Sequence, residues 1–244
     1  MAHLYRVSEQ TSLEAGALVA LDGDEARHAS SVARLAVGES VALSNGRGLL
    51  AQGVVQESSP QRVTLVVDSV QEIPPPSPEV WLVQALAKGD RDERAVEACT
   101  ELGVDRIIPW QASRSVARWS GEKALKSVAR WQRIAEEASK QAMRAWVPGV
   151  EPMAELGQLV EIASHTRMVL LEPTATTPLH EAVPGGDSPV VLVVGPEGGI
   201  SPSEREALEA AGAISASLGP LVLRTSTAGV AAMALVNHTL GRFE

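Results

Sequence analysis

The sequence has a single cysteine, Cys99, among its 244 residues. One cysteine excludes a disulfide framework and a cysteine-based zinc site within one chain, so we expect Cys99 to be a buried core residue. No apolar run approaches the roughly 20 residues that span a membrane, and residues 1–6 lack the charged and apolar regions of a secretory signal. We therefore expect a cytoplasmic protein without membrane contact.

Several common catalytic patterns are also missing. The histidines are His3, His28, His165, His180 and His238. No two of them have metal-ligand spacing, so we expect no bound metal. The glycine-rich segment 195–199 lacks the Lys-Ser/Thr ending of a nucleoside triphosphate loop and the Gly-x-Gly-x-x-Gly spacing of a dinucleotide site. No Gly-x-Ser-x-Gly elbow surrounds Ser201, Ser203 or Ser226, which disfavours an acyl-transfer hydrolase.

Charge is unevenly distributed along the chain. The formal net charge is −9, yet residues 106–144 hold nine Lys and Arg against three Glu. Residues 1–72 and 145–244 are both acidic. Because the local field rather than the total charge steers an anionic partner, the basic segment leaves nucleic-acid binding open.

The basic segment includes a predicted helix over 121–144. At about 100° per residue its basic side chains share one face, and they are Lys123, Lys126, Arg130, Arg133, Lys140 and Arg144. Arg114, Arg118, Trp110 and Trp119 come just before it, and arginine with tryptophan is a composition that binds phosphates and stacks on bases. RNA contact and a merely solvated charged face remain alternatives for this helix.

The first 72 residues predict a small β-rich unit. The expected elements are a helix over 22–32 and strands over 40–43, 49–55 and 62–70. Asn45-Gly46 is a strong turn signal, so the first two of these strands should form a hairpin. The proline-rich segment 73–78 then interrupts regular structure. We place the domain boundary there, with domains over 1–72 and 73–244.

After this boundary strands and helices alternate, which is typical of an α/β domain with a mostly parallel sheet. The expected strands are 80–86, 106–110, 167–171 and 189–194, and the expected helices are 90–102, 121–144, 153–163, one that begins at 202, and 225–240. Two apolar runs end in glycine-bearing loops, at 195–199 and at 218–219. Loops at the ends of neighbouring parallel strands commonly form a ligand crevice, so we expect these two to hold a small ligand.

Two motifs carry a resemblance. They are Gly195-Pro-Glu-Gly-Gly-Ile-Ser201 and Leu218-Gly-Pro-x-Val-Leu-Arg-Thr-x-Thr-Ala228, with further matching residues at His28, Arg34, Lys88-Gly89, Glu101-Leu-Gly-Val104, Arg114-Ser115, Arg130-Trp131 and 137–148. Together they resemble the ribosomal small-subunit methyltransferase E family, in the SPOUT class of RNA methyltransferases. The resemblance covers nearly the full chain. The sequence departs from the family pattern at Leu221 and Ser226, where Arg and Glu are common.

The resemblance implies a SPOUT-type trefoil-knotted α/β domain over 73–244, preceded by a small PUA-like RNA-binding β-barrel over 1–72. It further implies a homodimer, S-adenosylmethionine as the cofactor, and methylation of N3 of a specific uridine in 16S rRNA of the small ribosomal subunit. Hydrophobic periodicity does not predict the knot, and folded chains generally avoid knots.

The resemblance also implies which residues form the site. The expected cofactor contacts are Leu171, Glu172, Gly195, Glu197, Gly198, Gly199, Leu218, Gly219, Leu223, Thr225 and Ala228. Arg224 is the expected catalytic residue, because a fixed cation stabilises the negative charge that forms as uracil N3 loses its proton. RNA contacts are expected from Arg114, Arg118, Arg130, Arg133 and Arg144. Core packing remains an alternative role for Leu218 and Leu223.

Other functions remain open at this level. They are a SPOUT enzyme that acts on tRNA or on a ribose 2′-oxygen, a non-catalytic RNA-binding or ribosome-assembly factor, and a small-molecule enzyme with an acidic nucleotide pocket. The β-rich N-terminal unit and the pattern over 130–144 favour the ribosomal uridine enzyme. The intact glycines of the two loops disfavour a non-catalytic factor.

Overall fold

The computed structural model describes residues 3–183 and 185–243, which form two compact units. The first unit contains the chain up to Pro75 together with Ser139–Val147, and the second contains Pro76–Ala138 and the chain from Pro148 onward. The division falls inside the proline-rich segment 73–78. Residues 139–147 join the first unit through tertiary contacts, which local sequence patterns do not report.

The first unit is built on a five-stranded sheet. Its strands are β1 (Leu4–Arg6), β2 (Leu18–Asp22), β3 (Ser40–Ser44), β4 (Leu49–Ser58) and β5 (Arg62–Glu72), in the order β1-β3-β4-β5-β2. β1 pairs with β3 in parallel, and the other neighbours are antiparallel. The helix predicted over 22–32 is present as α1 (Gly23–Arg27) followed by one π-helical turn over His28–Val32.

The predicted hairpin joins β3 to β4. Asn45 Oδ1 accepts hydrogen bonds from the backbone N–H of Arg47, at 2.8 Å, and of Leu49, at 3.1 Å. Gly46 has a φ of +69°, a left-handed value that glycine adopts without strain. The Asn-Gly pair therefore determines this turn locally, whereas the short strands β1 and β2 carried no pattern that predicted them.

The second unit contains a six-stranded parallel sheet. Its strands are β6 (Val80–Ala85), β7 (Arg106–Trp110), β8 (Gly149–Val150), β9 (Arg167–Leu171), β10 (Val190–Val194) and β11 (Ile214–Ala216), in the order β11-β9-β10-β6-β7-β8. Its helices are α2 (Arg91–Glu101), α3 (Gly121–Gln141), of which residues 121–138 belong to this unit, α4 (Leu156–Ala163), α5 (Leu179–Ala182), α6 (Pro202–Ala210) and α7 (Thr225–Thr239). The predicted α/β alternation is confirmed. Among the described residues, none of the helices has the length and apolar character needed to cross a membrane.

Strand β10 lies in the middle of this sheet and is buried at every residue. Val190 and Leu192 pack into one core with α2 and α7, and Val191 and Val193 pack into a second core with α4 and α6. Successive strand residues point to opposite faces, so a strand covered on both faces must be apolar throughout. This explains the continuous apolar run in the sequence.

Helix α7 approaches the sheet closely at Gly229. A Cβ at this position would lie 3.2 Å from Leu82 Cδ1, 3.3 Å from Val194 Cγ2 and 3.4 Å from Cys99 Sγ. Cys99 is fully buried in this contact, as the sequence predicted. The missing side chain at Gly229 therefore lets α7 pack against α2, β6 and β10 together.

Two predicted helix boundaries were wrong by three residues. α3 ends at Gln141 rather than at 144, because Met143 takes a φ of +56°, which breaks the helical path. α4 begins at Leu156 rather than at 153, because Glu155 is its N-cap and its N–H donates to Gln158 Oε1 at 2.8 Å. Both ends depend on capping geometry that apolar periodicity does not register.

The substitution Gly229→Val is expected to destabilise the protein by about 1–3 kcal/mol, because its methyl groups overpack the contact of α7 with the sheet. The free energy of unfolding in urea measures this loss. Gly157→Val in α4 is the matched control, since a Cβ at Gly157 meets nothing within 4 Å. Equal losses in the two variants would show that helix propensity, and not packing, determines the effect.

Candidate active site

A cavity of about 360 Å³ opens at the carboxyl ends of β9 and β10. Three segments surround it, namely residues 171–173 at the end of β9, residues 194–200 at the end of β10, and residues 218–225 leading into α7. Parallel strands end at the same edge of their sheet, so loops that are distant in sequence meet there. The cavity walls are mainly apolar.

Most of the residues predicted to hold the ligand line this cavity. They are Leu171, Glu172, Gly195, Glu197, Gly199, Leu218, Leu223, Thr225 and Ala228, and the predicted catalytic residue Arg224 lines the cavity as well. Gly198 and Gly219 belong to the same loops but do not line the cavity. The structure therefore joins the two sequence motifs into one site.

Sequence reasoning missed several residues of the cavity wall. They are Arg91, Pro173, Val194, Ile200, Leu221 and Val222. Arg91 begins α2, and the only signal near it was the family match at Lys88-Gly89. Leu221 and Val222 directly precede the predicted contact Leu223 in the same loop. Their place beside it in the sequence was the signal that could have predicted them.

At two glycines of the loop after β10, neighbouring atoms leave little room for a side chain. A Cβ at Gly195 would lie 2.9 Å from Ile200 Cγ1, so the tight turn back to Ile200 needs a glycine. A Cβ at Gly198 would lie 3.2 Å from Arg114 Cβ. The missing side chain at Gly198 thus makes room for the segment that carries Arg114.

Glu197 is tied to the start of α2. Its Oε1 accepts hydrogen bonds from Lys88 N, at 3.0 Å, and from the Arg91 guanidinium, at 2.9 Å. Burial by itself would raise the pKa of Glu197, but the backbone N–H groups of Glu197 and Lys88 and the Arg91 side chain outweigh it, so the pKa is lowered. Glu197 is therefore an ionised carboxylate that anchors its loop.

A buried chain of hydrogen bonds connects three elements beneath the cavity. Gln84 of β6 donates its side-chain amide to Ala85 O, at 3.0 Å, and to Thr225 Oγ1, at 2.9 Å. Thr225 then donates its hydroxyl to Gly195 O, at 3.0 Å. The two carbonyl acceptors determine the direction of both donors. This chain holds the first residue of α7 against the loop after β10.

Arg224 immediately precedes α7, in extended conformation at the N-cap position. Its backbone carbonyl accepts from Thr227 N, at 2.8 Å, and Ala228 N, at 2.9 Å, while its exposed side chain borders the cavity. Glu172 stands on another wall of the cavity, and its backbone N–H donates to Ala216 O at 2.9 Å. Arg224 thus places a cation on the cavity wall at the start of α7, and Glu172 places a carboxylate there at the end of β9.

The predicted RNA-binding arginines occupy three places. Arg114 is exposed beside the loop after β10 and donates to Gly198 O at 3.1 Å, and Arg118 donates to the carbonyls of Ala112 and Ser113. Arg130 and Arg133 are exposed on α3. Arg144 is half-buried in the first unit.

The basic face of α3 is partly neutralised. Lys123, Lys126, Arg130 and Arg133 line a shallow surface cavity of about 570 Å³. Arg130 pairs with Glu93 at 2.7 Å, and Lys126 pairs with Glu122 at 2.9 Å. Exposed pairs of this kind contribute little to stability, so these cations stay accessible to an anionic partner.

The tryptophans near the basic segment are core residues. Trp110 is fully buried, and Trp119 is 8% exposed and packs edge-on against Trp131 at 5.1 Å between ring centroids. The suggestion that Trp110 and Trp119 stack on bases is therefore wrong, since their rings already fill the two cores of the second unit. Within the described residues, no group of three or more His, Cys, Asp or Glu is arranged to hold a metal ion.

Comparison with known proteins shows similarity along both units. A family model described as an RNA methyltransferase domain matches residues 74–237, and one described as an RNA methyltransferase PUA domain matches residues 21–68. Ribosomal RNA small subunit methyltransferase E of Mycobacterium tuberculosis (strain CDC 1551 / Oshkosh) is 38% identical over 236 residues, covering 95% of this chain and 90% of the relative. The Bacillus subtilis (strain 168) protein of that name is 30% identical, over 93% of this chain and 92% of the relative.

A solved structure is also similar. It is the crystal structure of Ribosomal RNA small subunit methyltransferase E from Neisseria gonorrhoeae bound to S-adenosyl methionine. The TM-score is 0.88 at 27% sequence identity, and the match covers 98% of each chain. The similarity therefore extends over both units and over the loops that form the cavity.

The substitution Thr225→Val is expected to lower the free energy of unfolding by about 1–3 kcal/mol, because it leaves the buried Gln84 amide without one of its acceptors and the partly buried Gly195 carbonyl without its donor. Urea unfolding measures the loss, and Thr225→Ser should restore most of it. Thr227→Val is the matched control, since Thr227 is exposed on the same helix. A loss no greater at Thr225 than at Thr227 would contradict the role of the buried chain.

Proposed function

Since the chain belongs to the ribosomal RNA small subunit methyltransferase E family, we propose that it transfers a methyl group from S-adenosylmethionine to N3 of a specific uridine in 16S rRNA of the small ribosomal subunit. The observation that carries the proposal is the cavity at the ends of β9 and β10. Both family motifs contribute to its walls, in a chain that matches its relatives over nearly its full length.

The residues of the cavity fit S-adenosylmethionine. Its volume of about 360 Å³ lies within the roughly 300–1,000 Å³ of small-molecule sites. Leu218 and Leu223 supply apolar walls for the flat adenine, and the loop 195–199 supplies main-chain groups for its polar edge. When bound, the cofactor supplies an electrophilic methyl group on a positively charged sulfur. Glu172 and Glu197 provide negative charge beside that site.

Arg224 is the residue that we assign to catalysis. Uracil N3 becomes a strong nucleophile as its proton passes to solvent water, and the resulting negative charge spreads onto O2 and O4. A guanidinium held at the start of α7 stabilises that charge, and arginine itself stays protonated and does not act as the base. The buried chain from Gln84 to Gly195 keeps the neighbouring Thr225 in place, which orients Arg224 toward the cavity.

The basic residues of the second unit fit an RNA partner. Lys123, Lys126, Arg130 and Arg133 share one exposed face, and Arg114 lies beside the loop after β10. Cations in such an arrangement bind phosphates by releasing counterions. We assign Arg114, Arg118 and the α3 face to 16S rRNA. Arg144 and the PUA-like β-barrel that we propose for residues 1–72 supply further contacts.

The proposed second domain, residues 73–244, is a SPOUT domain with a C-terminal trefoil knot. Support comes from Ser217, which follows β11 and bonds to residues 177–179 before the chain reaches α7. Ser217 N donates to Thr177 O at 2.9 Å, and Leu179 N donates to Ser217 O at 3.0 Å.

We further propose a homodimer. Leu221 and Val222 on the cavity wall are 74% and 79% exposed, and a second subunit would cover them. Because the proposed substrate is the small ribosomal subunit, we propose a cytoplasmic location.

Methylation of isolated subunits tests the function directly. Small ribosomal subunits from cells that lack this protein are incubated with the protein and S-adenosylmethionine, and the 16S rRNA is digested for nucleoside mass spectrometry. We expect 3-methyluridine to appear only with the protein present. A 2′-O-methylated nucleoside, or methylation of added tRNA instead, would favour a different SPOUT enzyme, and cofactor binding without any product would favour a non-catalytic factor.

The substitution Arg224→Ala is expected to lower turnover by about 10²–10³-fold, because it removes the cation that stabilises the developing charge. The dissociation constant of S-adenosylmethionine, measured by calorimetry, should change little. Ser226→Ala is the control, since Ser226 lies two residues further on and does not line the cavity. Unchanged turnover of the Arg224 variant on small subunits would remove Arg224 from the mechanism.

The double substitution Arg130→Gln/Arg133→Gln is expected to weaken RNA binding. It should also reduce the magnitude of the slope of the logarithm of the binding constant against the logarithm of the salt concentration by about 1.4–1.8, the value for two lost phosphate contacts. Binding of a 16S rRNA fragment at several salt concentrations measures the slope. Arg94→Gln/Arg205→Gln removes the same charge from α2 and α6 and serves as the control. An unaltered slope in the α3 variant would mean that this face is only solvated.

A further inference from the structure

Glu204 is a buried carboxylate outside the cavity. It is the third residue of α6 and is 5% exposed. Among the residues that the structure describes, it forms no ion pair with a Lys, Arg or His side chain. A buried charge without a cation must be stabilised by hydrogen bonds, so the partners of Glu204 determine what it does.

Two serines from different loops supply those hydrogen bonds. Oε1 accepts from Ser113 N at 2.6 Å, and Oε2 accepts from Ser113 Oγ at 2.9 Å. Oε2 also accepts from Ser201 N at 3.0 Å and from Ser201 Oγ at 2.6 Å. Burial would raise the pKa of Glu204, but the donors on Ser201 and Ser113 outweigh it, and the pKa is lowered.

The Ser201 contacts are those of an ordinary capping box, in which a serine N-cap and a glutamate three residues later satisfy each other's backbone N–H groups. A capping box needs no partner outside its own helix. The two bonds from Ser113 go beyond it, because Ser113 lies in the loop that follows β7. Glu204 therefore connects that loop to the segment between β10 and α6.

Arg114 is the next residue after Ser113, and the same two loops meet again through its side chain. Its guanidinium donates to Gly198 O at 3.1 Å, and Gly198 stands between the cavity residues Glu197 and Gly199. Arginine has five N–H donors, so one bond to Gly198 leaves donors for a phosphate. The hydrogen bonds of Ser113 to Glu204 fix the backbone next to Arg114, and the bond to the Gly198 carbonyl fixes the guanidinium group.

We propose that Glu204 is a positioning residue for RNA binding, which holds Arg114 beside the cofactor cavity through Ser113. The inference rests on the proposed function, because it takes Arg114 as an RNA contact. Glu204 touches neither RNA nor cofactor in this scheme. Its effect on RNA affinity passes entirely through Arg114, and this distinguishes it from a residue that merely stabilises α6.

A double-mutant cycle tests this distinction. The proteins are the wild type, Arg114→Gln, Glu204→Gln and the double variant, with Glu206→Gln on the exposed side of α6 as the matched control. The dissociation constant for small ribosomal subunits is measured by direct binding, and that for S-adenosylmethionine by calorimetry. Binding does not require turnover, so the cycle reports on Glu204 even if the wild type fails to methylate its proposed substrate.

We expect Arg114→Gln to weaken subunit binding about tenfold, as for loss of a charge-assisted phosphate contact. Glu204→Gln should weaken it several-fold, the double variant should match Arg114→Gln alone, and cofactor affinity should stay within about twofold in all proteins. The proposal would be overturned if the double variant lost the product of the two single losses in affinity. It would also be overturned if Glu204→Gln or Arg114→Gln bound small subunits as tightly as the wild type.

A second variant keeps the test decisive if Glu204→Gln does not fold. Ser113→Ala removes the 2.9 Å bond to Glu204 Oε2 and leaves the capping box of α6 intact. It should weaken subunit binding in the same direction, by about two- to threefold, and this effect should disappear in an Arg114→Gln background. An effect that persists without Arg114 would overturn the proposal.

Discussion

The parallel pairing of β10 with β9 on one side and β6 on the other is the constraint on which the site depends. Because β10 is buried on both faces, it must be a short apolar strand, and it cannot carry polar side chains into the cavity. The chemistry is therefore left to the loops at its carboxyl end and to the start of α7. β9 and β11 end at the same edge, so residues from three distant segments meet there.

Hydrogen bonds to main-chain groups hold these loops in place. Thr225 bonds the carbonyl of Gly195, Arg114 bonds that of Gly198, and Glu197 accepts the N–H of Lys88. Thr225 is buried, whereas Arg114 and Glu197 are exposed, and each of the three bonds a backbone group of another element. These bonds hold the loops together at the cavity, so they contribute to the geometry of the site.

Prediction from sequence succeeded where the signal is local. The Asn45-Gly46 hairpin, the alternation of strands and helices, and the start of α6 at residue 202 follow from dihedral preferences and hydrogen bonds within a few residues. The failures have equally definite causes. Helix ends at Gln141 and Leu156 depend on capping, and Trp110 and Trp119 were expected at the surface because composition does not report burial. Arg91 and Glu204 were missed as partners because their contacts cross many residues of chain.

The sequence by itself determined the α/β character of the second unit, the two glycine-bearing loops and the family to which they belong, because periodicity and motif spacing are properties of neighbouring residues. Only the tertiary structure decided that Gly198 makes room for Arg114, that Glu197 pairs with Arg91, and that residues 139–147 belong with the first unit. These facts depend on which segments the parallel sheet brings together. Hydrogen bonding between strands brings together segments that are far apart in the chain. The pattern of neighbouring residues does not specify which of these segments meet.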